Sequence, residues 1–324
     1  MSSTALRVSN LEVTFGTTIR AVRGLSLEVR RGSIHALVGE SGSGKSVTAK
    51  AMLGLLPETA AVAQDRLEID GIEIPSRDRS AFARLRGKRV SMVFQEPGKH
   101  LNPAFTVRVL LTEALTHHLG LARDEAVKRS RELLEQVDLD PAEVLGAYPH
   151  ELSGGMKQRV LIALAVSCNP ALLIADEPTT ALDVTVQAQI VALLDRLRRE
   201  LDMAVLFISH DLGLVQSIAD DISVMYAGRI VDSSEADELL TRPLHPYTEL
   251  LLESIPRPDL RGRPLSAIPG RVPDAAAIPA GCAFHPRCPL AEDLCTREDP
   301  ALAENAPGHV SACHFANALL EGRV

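Results

Sequence analysis

The run Gly39-Glu40-Ser41-Gly42-Ser43-Gly44-Lys45-Ser46 sets its glycines, lysine and serine at the spacing of a phosphate-gripping loop. Glycine lets the main chain close around phosphate oxygens, so successive amide N–H groups and the amino end of a following helix face the negative charge. Lys45 adds a point charge for the β and γ phosphates, and the Ser46 hydroxyl suits Mg²⁺ coordination. A second site is Asp176-Glu177, directly after the apolar run Leu172-Leu173-Ile174-Ala175. Open α/β sheets bind ligands at the carboxyl ends of their strands, where Asp176 could hold Mg²⁺ and Glu177 could polarise a water for attack on a terminal phosphate. Near the carboxyl end stand Cys282, Cys288, Cys295 and Cys313, separated by five, six and seventeen residues. Four thiolates can complete a tetrahedral zinc site or an iron–sulfur cube, and His285, His309 and His314 leave a mixed ligand set open. Cys168, alone on the apolar face of a helix, reads as core.

Such groups need a scaffold. Alternating apolar residues over Leu6 to Phe15 and Ala21 to Val29 predict two antiparallel strands that turn near Gly16. The run Ile34 to Val38 predicts a buried strand feeding the glycine loop, and Val47, Ala51, Met52 and Leu55 mark one side of the helix after it. Further strands are expected at Val90 to Phe94, Leu172 to Ala175, Val205 to Ile208 and Ile222 to Tyr226, with helical periodicity between several of them. That alternation implies an α/β fold with a mostly parallel sheet covered by helices. From Phe105 to Pro170 the pattern is almost wholly helical, as for an inserted subdomain. Beyond about Glu235 prolines become frequent and periodicity fades, which suggests a separate appendage.

Leu152-Ser153-Gly154-Gly155-Met156-Lys157-Gln158 resembles the signature of the ABC ATPases, and the match covers Leu6 to about Asp232. Physically, Ser153 can cap a helix, and the two glycines admit an anion to main-chain amides. The resemblance implies a RecA-like P-loop NTPase core over residues 1–234, with an antiparallel β subdomain and a helical signature subdomain at about 96–170. It also implies that Phe15 stacks on adenine, that residues 39–47, ending at Val47, cradle ATP, and that Gln95 senses Mg²⁺ beside Ser46 and Asp176. Glu177, Lys45 and His210 become the catalytic set, with His210 in Ile208-Ser209-His210-Asp211 contacting the γ phosphate. Ser153, Gly154, Gly155 and Gln158 would act across a dimer, and Ala181-Leu182-Asp183 would form the loop facing the opposing subunit.

Leu244-His245-Pro246-Tyr247-Thr248, Leu251-Leu252 and Ser254-Ile255-Pro256, together with Asn102-Pro103, are similar to features of peptide-importer ATPases of the oligopeptide, dipeptide and nickel group. Gly98-Lys99-His100 departs from the smaller hydroxylated residues that relatives often carry there. This resemblance implies an ATPase that energises peptide import, with nickel or another small solute as the alternative cargo. A non-transport ABC ATPase is the contrasting reading, but the heptad arms or second nucleotide domain of such proteins are not seen. Residues 235–324 would then be a small, irregular metal-binding extension holding a 4Fe-4S cluster, zinc being the alternative. The implied partners are a second ABC ATPase subunit in a homo- or heterodimer, two integral membrane permease subunits and an extracytoplasmic solute-binding protein.

Composition agrees with a globular protein: 46% of the 324 residues are hydrophobic and 23% charged. A net charge of −8 argues against long-range attraction to nucleic acid or anionic lipid. No apolar run reaches the roughly 18 residues of a spanning helix, and Met1 to Asn10 has no basic-then-apolar leader, so a peripheral place on the cytoplasmic face of the cell membrane is expected.

Overall fold

A computed structural model describes residues 4–75, 78–180, 182–255 and 268–322. Thr4–Phe15 (β1) and Ile19–Arg30 (β2) form the antiparallel pair that their alternation predicts, turning at Gly16. Ile34–Val38 (β3) runs into the glycine loop, and Lys45–Met52 (α1) follows it. Ala60–Ala63 (β4), Arg66–Ile69 (β5) and Ile72–Glu73 (β6) complete a five-stranded antiparallel sheet around β1. After Arg79–Leu85 (α2), Val90–Val93 (β7) enters a second sheet. A helical insert follows: Pro97–His100 (α3), Val107–Leu119 (α4), Arg123–Gln136 (α5), Pro141–Val144 (α6) and Gly154–Val166 (α7). The chain returns through Leu172–Asp176 (β8), Val184–Leu201 (α8), Ala204–Ser209 (β9), Leu212–Val215 (α9), Asp221–Tyr226 (β10) and Arg229–Glu235 (β11). Ala236–Thr241 (α10), Pro246–Glu253 (α11), Asp293–Arg297 (α12), Ala303–Ala306 (β12), His309–Ser311 (β13) and Ala316–Leu320 (α13) finish it.

The second sheet has the order β12-β13-β11-β10-β3-β9-β8-β7, and the run from β10 to β7 is parallel. Its central strands are apolar throughout because both faces are covered, and successive side chains feed different cores. Ile34, Ala36, Val38, Leu173, Ala175, Val205 and Phe207 point to the side of the helical insert and α8. Leu37, Leu172, Ile174, Leu206 and Ile208 point to α1 and the antiparallel sheet. Burying residues two ways fixes the register, since a one-residue slip would exchange the two sets. As a result β3, β7, β8 and β9 end in line, and the residues after them share one edge.

The segment beyond Glu235 is bonded into the sheet and does not stand apart as the fading periodicity suggested. β13 pairs with β11, matching Asp232 to Ser311 and Ser233 to Val310. Asp232 and His309, both with fully buried side chains, bond at 2.9 Å across that seam. Tyr247 and Phe284 lie in the larger apolar core, with ring centroids 5.3 Å apart. Pro256 and its neighbours through residue 267 lie outside the described residues.

Candidate functional site

Four strand ends build the site. After β3, Gly39 and Gly44 make the loop possible: a Cβ on Gly39 would collide with the Met225 carbonyl oxygen, and one on Gly44 would lie 2.5 Å from the Ala21 carbonyl oxygen. Only glycine fits so close a main-chain approach. Lys45 opens α1 and turns its ammonium back along the loop, where Nζ donates to the carbonyls of Gly39 at 2.7 Å and Glu40 at 3.0 Å. Burial lowers the Lys45 pKa, while the carboxylates of Glu177, Asp176 and Glu40 favour its charge.

The second residue of α1, Ser46, donates from Oγ to Asp176 Oδ1 at 2.9 Å. Two residues 130 apart in sequence thus meet at the end of β8, and burial holds the Asp176 carboxyl above its ordinary range. Glu177 adopts a left-handed backbone with φ of 47°, uncommon for a residue with a side chain. Its N–H donates to the Ile208 carbonyl at 2.9 Å, which ties the turn to β9. Its carboxylate is a hub: Oε2 accepts from Gln95 Nε2 and from Thr180 Oγ1, each at 2.9 Å, and Oε1 lies 3.1 Å from His210 Nδ1. Gln95 follows β7 and His210 follows β9, so the sheet gathers all three.

These groups line an open cleft of about 820 Å³ that includes Glu40, Ser41, Gly42, Gly44, Lys45, Ser46, Val47, Gln95, Glu177, Thr180 and His210. Ser43 is fully buried beneath the loop, and its carbonyl accepts the Gly228 N–H. Leu251, Ser254, Ile268 and Ala275 supply another wall. None of these four was legible as a site residue; nor was Thr180, although it stands three residues after Glu177. A second cleft, of about 490 Å³ between α1 and β4, contains none of the expected site residues.

Phe15 ends β1 half-buried against the smaller core and is not among the side chains lining the cleft. Ser153 lies elsewhere too, capping α7 by accepting the Met156 N–H at 3.3 Å. Gly154 and Gly155 face Leu182 and Val186, and Gln158 is buried. Asp183 caps α8 by accepting the Val186 N–H at 3.0 Å, next to Val184, which is 82% exposed. Ala181 lies outside the described residues.

Among the described residues no three His, Cys, Asp or Glu side chains form a group able to hold a metal ion, so the expected metal centre is not shown. The thiols are nevertheless neighbours. The Cys282 N–H donates to the Cys295 carbonyl at 2.9 Å, and Gly281 is required there because a Cβ would strike that same oxygen. Burial, reinforced by the negative charge of the other thiolates, pushes Cys282 upward, Cys288 up to about 11 and Cys313 up to about 12. Main-chain N–H groups of Phe284, Leu290 and Phe315 point at the sulfurs of Cys282, Cys288 and Cys313, each from two residues ahead. Sulfurs that accept such bonds suit metal-bound thiolates.

Two family models match the chain: ABC transporter over residues 22–180, and oligopeptide/dipeptide transporter, C-terminal region, over residues 231–295. The oligopeptide transport ATP-binding protein AppD of Bacillus subtilis (strain 168) is 45% identical over 96% of each chain. The dipeptide transport ATP-binding protein DppD of Escherichia coli (strain K12) is also 45% identical over 96% of each. A solved dimer of an ATP-binding cassette in a post-hydrolysis state, bound to ADP and phosphate, is 27% identical. It covers 71% of this chain and 98% of its own, with a TM-score of 0.63.

Proposed function

The chain belongs to the ATP-binding subunits of oligopeptide and dipeptide ABC transporters, hydrolysing ATP to energise peptide import, and from that premise we propose which of its residues do the work. Residues 39–47 cradle the phosphates, with Lys45 leaving its main-chain acceptors for the β and γ oxygens. Ser46 and Asp176, already paired through oxygen, offer with Gln95 the hard, oxygen-only surroundings that Mg²⁺ takes. Bound there, Mg²⁺ would neutralise phosphate charge. Glu177 is the general base, and the carrying observation is its hub of bonds to Gln95, Thr180 and His210. Three partners fix the carboxylate at a strand end beside the loop, and a fixed base is what proton abstraction from an attacking water needs. His210, more than half exposed, is free to turn toward a γ phosphate. Phe15, at the end of β1 and outside the cleft lining, is assigned the adenine: it is paired with Ile19, two residues before Ala21 of the cleft wall.

Ser153, Gly154, Gly155 and Gln158 serve the nucleotide of a second ATPase subunit, and Asp183 faces the same neighbour. Their separation from this chain's own cleft and the bare Val184 beside Asp183 support that reading. The permease subunits meet the helical insert, where Phe105, Val109 and Tyr148 are each at least 40% exposed and the Ala147 carbonyl joins the start of α4. Among the described residues no helix is long and apolar enough to cross a membrane. Attachment in this reading is peripheral, through the permease subunits at the cytoplasmic face, with the solute-binding protein on the other side. Residues 1–234 form the nucleotide unit and 235–324 the extension, whose Cys282, Cys288, Cys295 and Cys313 hold a four-iron cluster, or zinc as the second reading.

The test is Glu177→Gln in the assembled transporter. ATP binding is expected to persist while turnover falls by roughly 10²- to 10⁴-fold, the usual contribution of a general base. Turnover within a fewfold of the unaltered protein would remove Glu177 from its assigned role.

A further inference from the structure

The phosphate loop is gripped by the carboxyl-terminal extension. Arg287 lies in the short turn between Cys282 and Cys288 and is only 8% exposed, yet all three of its guanidinium nitrogens are engaged. Nη1 and Nη2 form a fork on the Glu40 carboxylate at 2.7 and 3.0 Å, and Nε donates to the Pro269 carbonyl at 2.7 Å. Nη1 also reaches the Tyr226 hydroxyl at 3.3 Å. Glu40 is held by its main chain as well, because its N–H donates to the Tyr247 hydroxyl at 2.9 Å. The extension therefore fixes both the side chain and the peptide of the second residue of the loop. That peptide matters chemically. Its carbonyl is that of Gly39, which accepts from Lys45 as the next carbonyl, that of Glu40, does, so a shift of Glu40 moves the acceptors that aim the ammonium. Two-point, charge-assisted bonds are directional as well as strong, which distinguishes this fork from an exposed surface pair.

We propose that Arg287 is a positioning residue for nucleotide binding: through Glu40, and together with Tyr247, it sets the shape of the phosphate loop and so the affinity for ATP. This rests on the reading that residues 39–46 cradle ATP.

The measurement is titration of the purified full-length chain with a fluorescent ATP analogue, well below its unfolding temperature. Arg287→Met is expected to raise Kd by about tenfold, the equivalent of ~1.4 kcal/mol. In the assembled transporter the KM for ATP rises in step, while kcat at saturating ATP stays within about twofold because no group touching the reacting atoms has changed. Arg287→Lys recovers part of the loss, since it keeps the charge but not the fork. Combining Arg287→Met with Glu40→Gln adds nothing further, because both remove one contact. Tyr247→Phe, which keeps the ring in its core, guards against a folding failure at Arg287 and is expected to weaken binding about threefold. Unchanged nucleotide affinity in a folded Arg287→Met chain, with only a lower unfolding temperature, overturns the proposal. If the unaltered chain binds no nucleotide at all, the reading of the loop fails instead.

Discussion

His309→Ala tests whether the seam between cassette and extension is held by a buried charge. Asp232 and His309 are both wholly buried, and the carboxylate has a second donor in the Leu244 N–H at 3.2 Å. Burial pushes the Asp232 carboxyl above its ordinary range, and the His309 bond pulls it partway back. Deleting the imidazole leaves an ionised group without its main partner, a change that costs about 3–5 kcal/mol when the pair is buried. Against a folding free energy of about 5–15 kcal/mol, such a loss is plain in urea unfolding of the full-length chain followed by circular dichroism. Most of the cost is the orphaned charge, so adding Asp232→Asn to His309→Ala should recover more than half. The pH dependence has a definite sign. A carboxyl raised in the folded state favours folding below its unfolded pKa of about 3.9 and loses that contribution as pH rises through the folded value. Losing His309 raises the folded value further, so the deficit of the single variant narrows as pH falls from 7 toward 5. A double variant no more stable than the single, with a deficit independent of pH, refutes the reasoning.

His35 is buried and its pKa is lowered to about 4, first by burial and then by Arg30. A depressed histidine contributes stability that is complete above about pH 6.5 and is lost as pH falls toward the folded value, on the order of 3 kcal/mol in all. Denaturation at pH 7.5 and pH 5 should show that slope, and His35→Ala should flatten it. Ser46→Ala removes one oxygen from the Asp176 pair and is expected to raise the Mg²⁺ needed for half-maximal ATPase about tenfold, read by metal titration at fixed ATP. Protein prepared without oxygen should carry about four irons and broad visible absorption, both lost in Cys288→Ser. A colourless preparation holding one equivalent of zinc would favour the other metal.

The nucleotide half of the site was legible because its signals are local. Residues 39–46 combine glycines, Lys45 and Ser46 within one turn, and Asp176-Glu177 follow an unbroken apolar strand, so type and spacing suffice. The strands at 34–38, 172–176 and 204–209 were legible for the same reason, being buried on both faces. Short strands such as β6 and β13 were not, since two or three residues cannot display a period. Phe15 shows the limit within the motif itself: its place in the chain implied a stacking role, while its packing against the smaller core depends on side chains far away.

The extension was illegible for a deeper reason. Its prolines and missing periodicity read as an appendage, because periodicity reports only elements that present one face to a core. What attaches this segment is a set of pairings with no local trace. Arg287 meets Glu40 across 247 residues, His309 meets Asp232 across 77, and the Ala275 carbonyl accepts the Arg20 N–H at 3.2 Å. His309 and Asp232 pair while wholly buried, Arg287 is buried against a part-exposed Glu40, and the Arg20–Ala275 bond joins main chains, so no residue type marks any of them in advance. Two of the three touch elements that border the cleft, the glycine loop and the start of β2, and Ile268 and Ala275 line the cleft itself. A segment that shares walls with the proposed ATP cleft cannot be removed or loosened without altering that cleft. Truncation before residue 268 should therefore weaken nucleotide binding even where the residues 39–46 and 176–177 are intact, and a truncated chain that folds and binds ATP unaltered would show the shared wall to be inert.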